Sequence, residues 1–260
     1  MALVAARSRG APCWLSLMAR DLEAAEAFYG AVLGWTFRPG GLRDGSSVAE
    51  LGGVPVAGLG AIAGELAVPV AWTAYFSVED ADDAVARLRE RGGTVGVGPV
   101  SYGSGRAALV ADRDGAGFGL WEGPVLSGWS VGGGRAPAWL ELLTRDAFDA
   151  ALFYGPVLEW GEDVPGYCAA SYEDDVVVLR NAGEAVARLN SGPVEAAAEQ
   201  SHDRPRWLVH FKVPDLDAAR ERAVAQGATQ VPGPADAGRR SQVALRDPQG
   251  ALFTLDRATE

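Results

Sequence analysis

The residues best suited to chemistry in this chain are a glutamate and a histidine that each lie in a short apolar segment. Glu141 belongs to the segment Trp139–Thr144, and His210 opens the segment His210–Val213. Apolar runs of this length are typical of half-buried strands. A buried carboxylate beside an imidazole can transfer protons, because burial and the neighbouring group tune both pKa values. The alternatives are a structural hydrogen bond or, for His210, an ordinary strand residue.

Tryptophans form a second kind of candidate site. The chain has eight of them, and the flat rings of Trp14, Trp121 and Trp139 can stack on conjugated ligands. Apolar walls with a few polar groups are typical of small-molecule sites, so the predicted partner is a hydrophobic or aromatic small molecule. No glycine-rich phosphate loop, nucleophile turn or paired-cysteine zinc motif occurs, and no cofactor is predicted.

Charge and composition exclude several other partners. The net charge of −11 argues against nucleic acid, which needs a basic surface, and against an anionic membrane. No apolar run reaches the roughly 18 residues of a membrane span, so a cytoplasmic location is predicted. Cys13 and Cys168 do not occupy equivalent repeat positions and are predicted to be reduced packing residues. The sequence leaves open whether the chain is a monomer or a homodimer.

The elements that must position these residues belong to an internal repeat. Residues 14–35 and 139–160 align without a gap. Each copy predicts a strand, an aspartate N-cap, an amphipathic helix and a helix stop. The matching pairs are Trp14/Trp139, Arg20/Arg145, Asp21/Asp146, Phe28/Phe153, Tyr29/Tyr154, Leu33/Leu158 and Trp35/Trp160.

A second motif also occurs twice. Tyr75–Asp82 and His210–Asp217 each predict a strand, an acidic cap and the start of a helix. The last strand of each half follows an Asp-x-x-Gly turn, at Asp112–Gly115 and Asp247–Gly250. The chain is therefore predicted to contain four strand-helix-strand-strand-strand modules, two in each half.

These motifs resemble the vicinal oxygen chelate superfamily, which includes glyoxalase I, bleomycin-resistance proteins and extradiol dioxygenases. The resemblance covers Trp14–Glu122 and Trp139–Asp256, and it is closest to tandem glyoxalase-like proteins of actinobacteria. It implies an α+β fold with two tandem domains, whose four βαβββ modules form cupped, mostly antiparallel sheets. The predicted boundaries are residues 12–123 for the N-terminal domain, 124–137 for a linker and 138–258 for the C-terminal domain.

Enzymes of this superfamily usually hold a divalent metal at the mouth of the cup. None of the residues at the implied ligand positions is a usual ligand for Zn, Ni, Mn or Fe, and threonine is a poor one. We therefore predict a cup without a metal. The six positions are Trp14, Thr73, Gly119, Trp139, Leu208 and Thr254.

The same positions mark the strand faces that line the cups, and alternation places residues i and i+2 on one face. The predicted ligand-binding residues are Trp14, Ser16, Thr73, Tyr75, Trp121, Trp139 and Asp256. The predicted catalytic residues are Glu141 and His210.

The sequence leaves two arrangements of these residues open. If each half forms its own cup, Glu141, His210 and Asp256 share one. If the halves exchange modules, His210 faces Trp14. In that case Glu141 faces Trp121 instead.

Three functions fit this pattern. The first is metal-independent binding of a natural product or drug, which would give self-resistance by sequestration. The second is a metal-free tailoring enzyme of secondary metabolism, such as a cyclase, isomerase or hydroxylase-like protein, with Glu141 and His210 as acid and base. The third is an interaction module whose cups are filled by Trp14 and Trp139. We favour the first, since tryptophan occupies both first-ligand positions.

Overall fold

A computed structural model provides the structure of the chain. It describes residues 3–4, 8–40, 45–131, 138–161, 165–173, 175–194, 204–231 and 242–257. Within the predicted boundaries, residues 41–44 of the N-terminal domain, 132–137 of the linker and 162–164, 174, 195–203, 232–241 and 258 of the C-terminal domain lie outside the described residues.

The described chain contains the four predicted βαβββ modules. Module 1 comprises β2 (Pro12–Met18), α1 (Leu22–Leu33), β3 (Thr36–Pro39), β4 (Ser46–Leu51) and β5 (Val54–Gly60). Module 2 comprises β6 (Ala71–Val78), α2 (Ala81–Glu90), β7 (Thr94–Tyr102), β8 (Gly105–Ala111) and β9 (Gly117–Glu122). Module 3 comprises β11 (Ala138–Thr144), α3 (Ala147–Leu158), β12 (Ala169–Glu173), β13 (Val176–Asn181) and β14 (Glu184–Ser191). Module 4 comprises β15 (Arg206–Val213), α4 (Leu216–Ala225), β16 (Thr229–Gln230), β17 (Gln242–Arg246) and β18 (Leu252–Arg257).

The strands form two eight-stranded sheets, and the predicted α+β class is confirmed. Their orders are β3-β4-β5-β2-β6-β9-β8-β7 and β12-β13-β14-β11-β15-β18-β17-β16. Within every module the first strand runs parallel to the last, as in the pairs Tyr75/Gly119 and His210/Thr254. The remaining pairs within the modules are antiparallel. Two short strands, β1 (Leu3–Val4) and β10 (Val125–Leu126), form a separate antiparallel pair.

Aspartate caps begin all four helices, as the repeated motifs predict. Each carboxylate accepts a hydrogen bond of 2.9 or 3.0 Å from the amide three residues later. Such a cap stabilises a helix by about 1 kcal/mol. Helix α1 stops at Gly34 with a left-handed φ of 71°, whereas Glu159 has the same conformation after α3, with φ of 57°. The four caps are Asp21, Asp80, Asp146 and Asp215.

The described residues pack into two compact units that combine modules from different halves of the sequence. Unit 1 lies within Met1–Trp14, Ala74–Ala136 and Leu140–Trp207, and therefore holds most of modules 2 and 3. Unit 2 lies within Leu15–Thr73, Pro137–Trp139 and Leu208–Glu260, and holds most of modules 1 and 4. Helices α2 and α3 pack together in unit 1, and α1 and α4 pack together in unit 2.

A buried Trp–Tyr–Asp chain lies in the core of unit 2. Trp72 donates its indole N–H to the Tyr29 hydroxyl at 2.9 Å, and that hydroxyl donates to Oδ2 of Asp247 at 2.9 Å. The rings of Phe211 and Phe253 pack beside this chain, with centroids 5.1 Å from Trp72 and 5.6 Å from Tyr29 respectively. Polar groups buried in this way are stable only when they are paired.

Unit 1 contains the repeat of the same chain. Trp207 donates to Tyr154 at 3.0 Å, and Tyr154 donates to Oδ2 of Asp112 at 2.9 Å. Burial raises the pKa of Tyr154, and the nearby Asp112 carboxylate raises it further. The Asp-x-x-Gly motif therefore does more than form a turn, because its aspartate also accepts a hydrogen bond from a tyrosine in the helix of the first repeat motif.

An N-terminal segment, Ser8–Ala11, lies across unit 1 just before β2. The Ser77 hydroxyl donates to the Ser8 carbonyl at 2.7 Å, and the Ser77 amide donates to Ala11 at 2.9 Å. The backbone amide of Arg9 donates to the carbonyl of Gly166 at 2.8 Å. This segment joins module 2 to module 3 and leads directly into Trp14. None of the described helices is long and apolar enough to cross a membrane.

Candidate functional site

Several aromatic side chains of unit 1 are half-buried, and we call four of them the aromatic group. They are Trp14, Tyr75, Trp121 and Trp129. The rings of Trp14 and Trp129 pack against each other with centroids 5.6 Å apart and planes tilted by 49°. Three of the four are predicted ligand-binding residues, and the fourth comes from the predicted linker.

Tyr75 is positioned by a glycine on the neighbouring strand. Tyr75 and Gly119 are partners in the parallel pair of β6 and β9, and a Cβ at Gly119 would lie 2.2 Å from Cδ1 of the tyrosine ring. The ring therefore covers the backbone at this family ligand position. Burial raises the pKa of the Tyr75 phenol, with further increases from Tyr102 and Cys13, so the hydroxyl stays protonated at neutral pH.

Trp121 is held in a comparable way. A Cβ at Gly105 would lie 2.7 Å from Cζ2 of its ring, so only glycine lets the indole rest on this backbone. The indole N–H donates to the Pro124 carbonyl at 3.1 Å. With that group paired, the ring offers mainly its apolar face to any further partner.

His210 and Asp256 are the two predicted site residues that the structure brings together. Nδ1 of His210 lies 3.2 Å from Oδ1 of Asp256, and His210 is only 2% exposed. The next residue, Phe211, packs with Trp72 in the core of unit 2, which agrees with the predicted alternation along β15. A carboxylate bonded to Nδ1 fixes the orientation of an imidazole ring.

Glu141 contacts Asn190, which was not a predicted site residue. Its Oε1 accepts a hydrogen bond from the Asn190 side-chain amide on β14, and the Cα partner of Glu141 in the sheet is Arg188. Glu141 belongs to unit 1 and His210 to unit 2. The acid–base pairing of these two residues therefore stays a prediction.

The other predicted ligand-binding residues lie in unit 2. Ser16 on β2 is half-buried and is the partner of Gly58 on β5. Thr73 is 7% exposed, and Trp139 is half-buried. Their roles in binding remain predictions.

The residues at two of the implied ligand positions do not fit a divalent metal. Gly119 lies under the Tyr75 ring, Trp14 packs on Trp129, and neither supplies a donor atom that such a metal prefers. Across the part of the chain that the structure describes, no three His, Cys, Asp or Glu side chains form a group that could hold a metal ion.

The two cysteines are free, as predicted. Burial raises the pKa of the Cys168 thiol to about 12, and it raises the pKa of Cys13 even further. Both therefore remain thiols at neutral pH and lack the thiolate needed for nucleophilic or metal chemistry.

Sequence reasoning missed some neighbours of the predicted residues. Trp129 is not among the predicted ligand-binding residues, yet its ring packs against Trp14. Tyr102 and Cys13 influence Tyr75, but no sequence pattern marked them. For Trp129, the sequence offered one signal, since this tryptophan interrupts a glycine- and proline-rich stretch.

Comparison with known proteins defines the class to which this fold belongs. A model described as the Glyoxalase/Bleomycin resistance protein/Dioxygenase superfamily matches residues 13–120, and one described as Glyoxalase-like domain matches residues 139–255. Together with the sequence relatives below, these matches show that the chain belongs to the glyoxalase/bleomycin resistance/dioxygenase superfamily, as a tandem glyoxalase-like protein.

Particular relatives resemble the whole chain. It is 31% identical over 266 residues to the anthracycline biosynthesis protein DauV of Streptomyces sp. (strain C5), covering 95% of this chain and 92% of that protein. It is also 31% identical over 262 residues to the putative glyoxylase CFP32 of Mycobacterium bovis, covering 95% and 94%. Among solved structures, the Mn(II)-bound glyoxalase from Novosphingobium aromaticivorans aligns with a TM-score of 0.56 and 16% identity, covering 97% of this chain and 84% of that one. That level of identity supports the shared fold alone.

Proposed function

We propose that this protein binds a hydrophobic or aromatic small molecule without a metal, at the aromatic group of unit 1. The supporting observation is the exposure of that group. Its four rings are half-buried, whereas Tyr29, Trp72 and Phe211 in the core of unit 2 are at most 5% exposed. The rings of Trp14 and Trp129 are in contact, and contiguous apolar surface left open to solvent is typical of sites that a partner covers.

The chemistry of the group favours a flat apolar ligand. The Trp121 indole N–H is already bonded to Pro124, and the pKa of Tyr75 is raised so that it carries no charge. A ligand that buries roughly 200 Å² of apolar surface gains about 5 kcal/mol before the entropic costs of binding. Stacking on the rings adds about 1 kcal/mol for each good pair.

The sequence relatives support a role in secondary metabolism. DauV is named as an anthracycline biosynthesis protein, and anthracyclines are flat aromatic products of the kind that tryptophan stacking suits. Sequestration of such a product would provide self-resistance. The similarity to a protein named a putative glyoxylase does not favour binding over catalysis.

Tryptophan fluorescence tests this proposal directly. We expect 1,8-dihydroxyanthraquinone to quench the wild-type protein saturably and equally with EDTA or added Mn²⁺. Trp14→Phe and Trp129→Phe should each weaken binding several-fold. Trp160→Phe is the matched control, because this half-buried indole of unit 1 bonds Gly10 and lies outside the aromatic group. Quenching that requires a metal, or equal affinity in all three variants, would contradict the proposal.

A metal-free tailoring enzyme is the second candidate. It is favoured by one observation, the His210–Asp256 contact at 3.2 Å, since a carboxylate at Nδ1 orients an imidazole for proton transfer. Glu141 would be the second acid–base group. Replacing Glu141 by Gln and His210 by Ala separates the two functions: ligand affinity largely survives if the protein only binds, and turnover collapses if these residues do the chemistry.

A further inference from the structure

We infer that the β15–β18 strand pair of module 4 forms a second ligand site, which binds an uncharged hydroxyl or carbonyl oxygen through Thr254 beside the His210–Asp256 pair. This site lies in unit 2, whereas the aromatic group lies in unit 1. The inference goes beyond the proposed function because it assigns polar recognition to residues outside the aromatic group.

The first observation is a buried hydroxyl without a partner. Thr254 is 2% exposed, and its Oγ1 has no hydrogen-bond partner among the residues that the structure describes. By contrast, the equally buried Ser77 hydroxyl donates to Ser8 at 2.7 Å. An unpaired buried hydroxyl costs roughly 1–3 kcal/mol, so folded proteins usually supply a partner for it.

The second observation is the chemistry around this hydroxyl. Thr254 is the Cα partner of His210 on β15 and of Ala244 on β17. Asp256 follows two residues later on β18 and therefore shares the face of Thr254, where its carboxylate meets Nδ1 of His210 at 3.2 Å. A hydroxyl, an imidazole and a carboxylate thus lie on adjacent strands, next to the small side chain of Ala244.

A comparison with Ser47 shows why the neighbouring residues decide whether a buried hydroxyl marks a binding site. Its hydroxyl is also buried and has no partner within the described residues. Its partners in the sheet are Pro39 and Leu59, and neither carries a polar side chain. The sheet partners of Ser47 are therefore apolar, whereas Thr254 is paired with His210.

The polar side chains of Thr254, His210 and Asp256 suit an uncharged oxygen. The threonine hydroxyl can donate to a carbonyl or accept from a phenol or alcohol. The Asp256 carboxylate disfavours a second negative charge beside it. Thr254 occupies the position that the resemblance implies for the last metal-coordinating residue. In this chain the same strand position would contact the small molecule directly.

Two matched probes test this site. We expect 2-naphthol to bind the wild-type protein, and Thr254→Val, which keeps the shape and removes the hydroxyl, to weaken that binding about tenfold in calorimetric titrations. The affinity for 2-methoxynaphthalene, which cannot donate a hydrogen bond, should change less than twofold. Ser47→Ala is the control, since it removes a buried hydroxyl whose partners in the sheet are apolar. The unfolding midpoint of Thr254→Val should equal or exceed that of the wild type.

A second readout separates this inference from the proposed function. The chain has two histidines, so in a His202→Ala background the imidazole NMR signals report on His210 alone. A saturable shift of those signals by 2-naphthol, lost in Thr254→Val, supports the site even if the aromatic group fails its own test. Tryptophan quenching by 2-naphthol with unmoved His210 signals and normal Thr254→Val binding overturns the site and leaves the proposed function standing. Failure of the wild type to bind either probe overturns the site as well.

Discussion

The hydroxyl of Tyr29 donates a 2.9 Å hydrogen bond to Asp247, which lies 218 residues further along the chain. Its repeat counterpart, Tyr154, bonds Asp112 in the same way at 2.9 Å. Both tyrosines are 0% exposed. Each bond joins a helix of one sequence half to a turn of the other, so each compact unit depends on both halves of the sequence.

Loss of the Tyr29 hydroxyl should destabilise the protein. Tyr29→Phe leaves the Trp72 indole N–H and an Asp247 oxygen buried without this partner, and we expect the free energy of unfolding to fall by about 1–3 kcal/mol. Urea denaturation measures the change. Tyr172→Phe is the control, because Tyr172 is 59% exposed and its substitution should cost less than about 0.5 kcal/mol. Equal losses in the free energy of unfolding for the two variants would argue against a stabilising role of the buried Trp–Tyr–Asp hydrogen bonds.

The same tyrosines should make the protein sensitive to alkali. Burial is the main cause that raises the pKa of Tyr29 and of Tyr154 well above the ordinary value of 10.0. The unfolded chain ionises these phenols above pH 10 while the folded chain keeps them neutral, so their stabilisation is complete below that pH and is lost as the pH rises.

We expect the free energy of unfolding to decrease above pH 10 by up to about 1.4 kcal/mol per pH unit for each tyrosine. Urea titrations between pH 9 and pH 11 measure this slope. A variant with Tyr29→Phe and Tyr154→Phe should have a shallower slope. If the two slopes are the same, burial of these phenols does not govern the alkaline stability.

Gly119 should be essential for the position of Tyr75. In Gly119→Ala the new Cβ would lie 2.2 Å from the Tyr75 ring, so we expect the ring to move, with a loss of about 1–3 kcal/mol in stability and weaker quenching by 1,8-dihydroxyanthraquinone. Gly117→Ala on the same strand is the matched control, because its nearest neighbour is 3.9 Å away. Unchanged quenching in Gly119→Ala would remove Tyr75 from the proposed site.

The predicted N-terminal domain should not form a stable monomer alone. A fragment of residues 12–123 contains Tyr29 and Trp35 but lacks their partners Asp247 and Phe211. We expect this fragment either to self-associate or to bind the dye ANS without a cooperative unfolding transition, and addition of residues 124–258 to restore that transition. Sedimentation and circular dichroism measure these properties. A monomeric fragment that unfolds cooperatively would show that the sequence half is the folding unit.

The predictable part of the fold rests on short-range patterns. Asp21 and Asp146 stand at the same point of a repeated motif, and a cap needs only the amides of the next turn, so both helix starts could be read directly. The four modules followed from these repeats, and the α+β class followed from the family resemblance that the repeats carry. The absence of metal donors at positions such as Trp14 and Gly119 was equally visible, because donor chemistry depends on residue type alone.

The candidate site was less predictable. Alternation grouped His210 with Asp256, and the structure places Nδ1 of His210 3.2 Å from Oδ1 of Asp256. The roles of both residues stay predictions. Strand alternation did not predict the contact between Trp129 and Trp14, because Trp129 belongs to a linker without periodicity. It also could not reveal that the Thr254 hydroxyl has no hydrogen-bond partner within the described ranges, since pairing depends on the distances between all neighbouring atoms.

The sequence by itself determined where the modules lie, how their helices begin and which strand residues share a face, because backbone hydrogen bonds and side-chain periodicity are local properties. Only the tertiary structure decided that module 1 packs with module 4 in unit 2. The periodicity that buries Tyr29 in a helix stripe does not specify what its hydroxyl meets. That partner, Asp247, is fixed by the packing of segments far apart in the chain, where shape and polar pairing among many side chains select one arrangement.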